Sequence, residues 1–282
     1  MNQDLIKKVA ELECLAKLLF NKGVVLRYTA LAIEVVAGVM AVVVTFLQPS
    51  VGTQFWLAVF AFAMLFIAYG LKIRFSIIYD RAETMRRQAV LSNALGWDIP
   101  RVQFSDWRHS AGKNVIKQLE CTTLDEDYYA TKKEPGALRL LEMTQESAFW
   151  TRHLYSSIKD YLLVILAIAI GLFVAVLTFT SSATVGADMS MQIAYSVYLL
   201  MPLILTADVL GWAIKLHMLC SSIREIEKDM ERLKANGTLN INDVLRLVSE
   251  YNCQVAQGFP IPNWFFGLQH DYIKNLWDKN NS

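Results

Sequence analysis

Four apolar runs, 28–47, 54–71, 161–180 and 191–214, constrain this chain of 282 residues more than any other feature. Each is close to the ~20 residues that carry an α-helix across a bilayer. The links "QPSVGT" and "SSATVGADMS" are so short that the runs predict two antiparallel transmembrane hairpins. A hydrophobic content of 54% and a mean hydropathy of +0.32 fit that class. No cleavable signal peptide is expected, because the first 28 residues are charged and lack an apolar core.

Basic residues give the expected orientation. Five of the 27 Lys and Arg precede the first run, fourteen lie from Lys72 to Lys159, and eight follow from Lys215. The two short links carry none, so both termini and the central segment are expected on the cytoplasmic side of an inner membrane. With Glu34, Asp208 and Asp188 set aside, that side carries about four excess positive charges. This suits an anionic surface or a small anionic ligand and is too little for a DNA or RNA polymer. Cys14, Cys121, Cys220 and Cys253 are scattered without a CxxC spacing, and the histidines form no HExxH pattern. Neither a metal nor a redox site is expected.

The predicted organisation has five parts: a cytoplasmic amphipathic helix at 1–27, a hairpin at 28–71, a cytoplasmic helical segment at 72–160, a second hairpin at 161–214, and C-terminal cytoplasmic helices at 215–282. In the first part Leu5, Val9, Leu12, Ala16 and Leu19 share a helical face that suits packing against other cytoplasmic helices, and Asn21-Lys22-Gly23 is expected to stop it. The second run continues as helix to Gly96, and 96–112 reads as a loop. A short helix is expected at 113–120, then one opened by Pro135-Gly136 and unbroken into the third run. The fourth run continues to Gly237. Asn240 or Asn242 can cap a helix through Gln257, "GFPIP" breaks it, and a last helix follows. The fold class is therefore an all-α integral membrane protein, with four transmembrane helices extended into a cytoplasmic helical bundle.

The stretches "GALRLLEMTQESAFWTRHLYSSIKDY" and "IPNWFFGLQHDYIKNLW" resemble the SMODS-associated four-transmembrane effector family of bacterial cyclic-nucleotide antiphage systems. In that family a long helix with an acidic, polar and aromatic stretch leads into the third span. A proline, Asx and aromatic element lies near the C-terminus, matched by Ile261-Pro262-Asn263-Trp264-Phe265. Asn263 stands where an aspartate is expected, and Phe266 lies near an expected tyrosine. The resemblance implies an effector that senses a cyclic di- or trinucleotide made by a partner nucleotidyltransferase or cyclase. It then assembles with further copies, permeabilises the membrane lipids, and arrests or kills the infected cell.

Such a messenger needs cations for its phosphates and flat side chains for its bases. The central segment interleaves the two in Trp107-Arg108-His109, in Tyr128-Tyr129 with Lys132-Lys133, and in Trp150 with Arg152-His153. Arg86-Arg87 adds charge on the helix leaving the second run. The competing reading of Trp150 is packing between cytoplasmic helices, and Trp264, Phe265 and Phe266 read as a packed clasp. No Gly-rich phosphate loop, Ser/His/Asp grouping or paired-carboxylate motif occurs, so no enzyme is expected.

Glu34 and Asp208 are the two carboxylates inside apolar runs, and the topology puts them at similar depth. Ala30, Ala37, Gly38 and Ala41 share the face of Glu34, so that face should meet protein. Ala167, Gly171 and Ala175 form a comparable small-residue row in the third run, and Pro202 is a hinge candidate in the fourth. The carboxylates either pair with Lys215, Arg27 or Lys72 and anchor their helices, or line a cation-attracting ring in an oligomer. A housekeeping channel or transporter and a ligand-free membrane scaffold are the alternative functions.

Overall fold

The computed structural model describes residues 3–47, 50–124, 129–180, 209–237, 239–258 and 261–281. Tyr128, Asp208, Pro202 and most of the fourth apolar run lie outside the described residues. Among the described residues there are eight helices and no strand. They are α1 (Gln3–Leu47), α2 (Val51–Leu95), α3 (Arg101–Ala111), α4 (Lys113–Glu120), α5 (Ala137–Thr180), α6 (Val209–Ala235), α7 (Ile241–Ala256) and α8 (Asn263–Asn281). The chain divides into two compact units, one of Met1–Val24, Ser76–Ser157 and Leu216–Ser282, the other of Val25–Phe75 and Ile158–Lys215.

In the first unit the amphipathic face of α1 is fully used. Leu5, Val9, Leu12, Ala16 and Leu19 are buried in one core with Ala82, Met85 and Ala89 of α2, Ala111 of α3, and Val115 and Leu119 of α4. Two expectations need correcting here. First, α1 does not stop at Asn21-Lys22-Gly23 but runs on to Leu47. A lone glycine costs about 1 kcal/mol in a helix interior, and here helix formers on both sides carry the ladder across it.

Second, 96–112 is not a loop throughout, because 101–111 forms α3. Gly96, at φ 71°, ends α2, and Pro100 stands at the boundary where helical bonding resumes, its carbonyl accepting from the Phe104 N–H at 3.0 Å. Phe104, Trp107 and Ala111, at helical spacing, pack on the α1 core and hold this segment as a helix.

The remaining elements follow their local signals. Gly112 at φ 86° separates α3 from α4, and Gly237 at φ 73° follows α6. The Asn240 side chain accepts from the Asn242 N–H at 3.0 Å and caps α7. Val244, Leu247, Val248, Tyr251 and Val255 form the buried stripe of α7.

Gly258 just beyond α7 is required by packing. A Cβ there would lie 1.7 Å from the hydroxyl of the buried Tyr155, 2.6 Å from its Cζ and 2.9 Å from the Val255 carbonyl. Gly258→Ala is expected to cost about 3 kcal/mol, at the upper end for an overpacked site, read by urea unfolding of detergent-solubilised protein. Adding Tyr155→Leu shortens the obstructing side chain, so the double variant should lose less than the two single losses combined.

The second unit has the opposite character. Ala30, Glu34 and Ala37 of α1 and Ala68 of α2 are buried, whereas Val35, Val36 and Val39 of α1 and Phe55, Phe62 and Phe66 of α2 are exposed. The apolar stretch of α5 likewise exposes Leu163, Val164, Ile165 and Ile168. Two described helices, α1 and α2, are long and apolar enough to cross a membrane, with mean hydropathies of 1.8 and 2.0 over their best windows. At these positions of α1 and α2 small residues are buried and large apolar ones exposed, whereas Ala167, Gly171 and Ala175 of α5 are exposed.

Candidate functional site

A largely buried polar site in the first unit is built on α2. Glu83, Arg86 and Arg87 stand at i, i+3 and i+4, so their side chains meet on one face. Glu83 is only 4% exposed. Arg86 grips it with two donors, Nε to Oε2 at 3.0 Å and Nη2 to Oε1 at 2.6 Å, and Arg87 adds Nε to Oε1 at 3.2 Å. Both arginines also reach α7. Arg86 Nη2 donates to Asn252 Oδ1 and Arg87 Nη2 to the Asn252 carbonyl, each at 3.0 Å. The cluster therefore pins α2 to α7 by charge-assisted bonds.

Tyrosines surround the pair. Tyr251 and Tyr155 are each 2% exposed, and the Tyr251 hydroxyl lies 2.9 Å from that of Thr151. Burial pushes the Tyr79 phenol up to about 12, and burial also raises Tyr155 well above the ordinary value. Both stay neutral, so their hydroxyls remain donors. Burial raises Glu83 too, but the Arg86 and Arg87 contacts outweigh it and hold the carboxyl below its usual range. Burial works to lower Arg86, and Glu83 more than reverses that. Within the cluster two guanidiniums face one carboxylate, leaving an excess of one positive charge. Tyr129, 8% exposed, lies within electrostatic reach of Arg86.

The strap that carries Tyr129 is fastened to α5. Glu146 Oε2 accepts from the Ala130 N–H at 3.1 Å, Glu142 Oε2 from the Thr131 hydroxyl at 2.6 Å, and the Lys133 carbonyl from Arg139 at 2.6 Å. Lys132 and Lys133 are exposed on this strap. Of the residues singled out from sequence, Arg86, Arg87 and Tyr129 are thus brought into one neighbourhood, with Lys132 on the adjoining strap. Tyr128 lies outside the described residues.

The third predicted cluster has a different set of partners. Arg152 Nε donates to Glu227 Oε2 of α6 at 2.7 Å, and its guanidinium lies 5.8 Å from the Phe149 ring centre. Trp150 packs on Phe266 and His270 of α8, with ring centres 6.0 and 5.5 Å apart. His153 lies 4.4 Å from Phe149, and burial, then the Arg152 charge, lowers its pKa. Trp107 packs into the α1 core, and Arg108 Nη1 holds Glu11 Oε1 at 2.5 Å. His109 is exposed.

Sequence reasoning missed the acceptors. Glu83, at three and four residues before the two arginines, was a readable signal, whereas Asn252 and Glu227 come from distant segments. Two shallow grooves, of about 420 and 240 Å³, are lined by residues of α6 and α7. The larger is bordered by Glu225, Asp229 and Glu250, the smaller by Asp229, Arg232, Asp243 and Arg246, and neither includes a predicted ligand residue. Among the described residues no group of three or more His, Cys, Asp or Glu side chains is placed to hold a metal ion.

In the second unit Glu34 Oε1 forms an ion pair with Lys72 Nζ. Lys72 is one of the three partners the sequence offered. The pair joins α1 to α2 beside the buried Ala30, Ala37 and Ala68.

Comparison with family models, with curated proteins and with solved structures gives no match to this chain.

Proposed function

We propose that the protein is a non-enzymatic membrane effector that responds to a cyclic nucleotide and opens a bacterial inner membrane. On this reading four helices span the bilayer, both termini lie in the cytoplasm, and copies of the chain assemble in the membrane. One observation carries it. A single helix, α2, bears both the Arg86–Arg87 cluster, with its excess positive charge among tyrosines, and an apolar stretch whose phenylalanines are exposed. A bound phosphate can take a place on the two guanidiniums and loosen their grip on Glu83 and Asn252, while aromatic rings hold a base. Any resulting shift of α2 involves the helix that also carries the apolar stretch, so differential binding can change the state of the membrane segment. The resemblance to the four-transmembrane effectors supports the ligand class and the antiphage role.

The test is calorimetric titration of detergent-solubilised protein with a panel of cyclic di- and trinucleotides. Binding to one member is expected, weakened by at least about tenfold in Arg87→Gln through loss of a charge-assisted contact. Absence of binding across the panel would remove the sensor from the account.

A further inference from the structure

We propose that the apolar unit seats anionic phospholipid headgroups on Arg27 of α1, Arg74 of α2 and Lys215 of α6, each at the end of its own apolar run. The proposal rests on the reading that these helices are embedded in a bilayer. All three cations belong to that one unit, as do Lys72 and Lys159. Among its described residues the carboxylates are Glu34 and Asp160, and each already has a lysine. Glu34 pairs with Lys72, and Asp160 pairs with Lys159 at 3.3 Å. Five cations against two carboxylates leave three positive charges, and Arg27, Arg74 and Lys215 carry them. Arg74 is exposed, and Arg27 and Lys215 are half-buried.

The depth of each cation is set by its own helix. Arg27 directly precedes the run 28–47, Arg74 follows 54–71 by three residues, and Lys215 directly follows 191–214. Three residues are about 5 Å of helix. Over that distance a long basic side chain lays its stem on apolar surface and keeps its charge in the headgroup layer. An amphipathic ring stands near the same end of each run, Tyr28 on α1, Tyr69 on α2 and Trp212 on α6. Such rings sit at headgroup level. The Lys215 ammonium lies 5.0 Å from the Trp212 ring centre, a cation–π contact that holds it at that end. At the opposite ends of the first two runs, Leu47 and the described residues 50–54 carry no charge. The excess is therefore one-sided, and its complement is a leaflet whose headgroups carry net negative charge.

For the test, full-length protein is reconstituted in phosphatidylcholine vesicles, and a trace of spin-labelled phosphatidylglycerol or spin-labelled phosphatidylcholine is added. The electron spin resonance spectrum separates lipid held at the protein from lipid in the free bilayer. More phosphatidylglycerol than phosphatidylcholine is expected at the protein, from a preference of about fivefold at each cation. Arg27→Gln, Arg74→Gln and Lys215→Gln together should abolish the difference. The held phosphatidylcholine should stay the same, which shows that the variant is still embedded. Equal amounts of the two lipids at the unaltered protein overturn the proposal and leave the membrane reading intact. A difference that survives the triple variant overturns the assignment to these three cations. Held lipid of neither kind overturns the membrane reading itself, and the proposal with it.

Discussion

Glu83→Ala is expected to destabilise the protein by about 3–5 kcal/mol, because it leaves Arg86 and Arg87 partly buried without their shared carboxylate. The loss concerns the charges left behind more than the pair removed. Replacing all three residues together, with Glu83→Leu, Arg86→Met and Arg87→Met, should therefore cost much less than the single change. Urea unfolding in detergent reads both. The effect also has a pH signature. The arginines hold the folded carboxyl below its ordinary value of 4.5, so its contribution is fully present above that value. It is lost as pH falls through the depressed folded value. Glu83→Gln should flatten that acid limb of the stability profile, and an unchanged limb would show that the pair contributes nothing to acid sensitivity.

The second large effect is expected in the apolar unit. Lys72→Met leaves the buried Glu34 carboxylate without its cation and should cost about 3–5 kcal/mol. Lys72→Met combined with Glu34→Gln should recover most of it, since the orphaned charge is gone. The same pair bears on the two roles the sequence leaves open for Glu34. A carboxylate neutralised by Lys72 anchors α1 to α2 and adds little field to an opening. Glu34→Gln should then leave cation selectivity unchanged in any flux assay. A marked fall in selectivity would restore the acidic ring.

The helical layout was legible in the sequence because apolar runs, glycines and prolines act locally. Gly96, Gly237 and the Asn240 cap all sit at helix boundaries. The two misjudged stretches, at Gly23 and 101–111, share one cause. Local breaker residues there point to a stop or a loop, whereas the packing of Leu12, Leu19, Phe104 and Trp107 in the core favours helix.

The site was only half legible. Arginines and aromatic residues were visible as types, but their partners were not. Glu11 lies 97 positions from Arg108, Glu227 75 from Arg152, and Asn252 166 from Arg86, distances over which periodicity says nothing. Where a cation finds an internal acceptor, as Arg108 and Arg152 do, its charge is already used in folding. The two-to-one cluster on α2 retains an excess.

Dye release from vesicles tests the central claim most directly. Full-length protein is reconstituted in vesicles loaded with a small fluorescent anion, and each member of the cyclic di- and trinucleotide panel is added in turn. The account predicts that one member triggers release and that Arg87→Gln shifts the response to higher nucleotide concentration. Release that is identical with and without every nucleotide would contradict it.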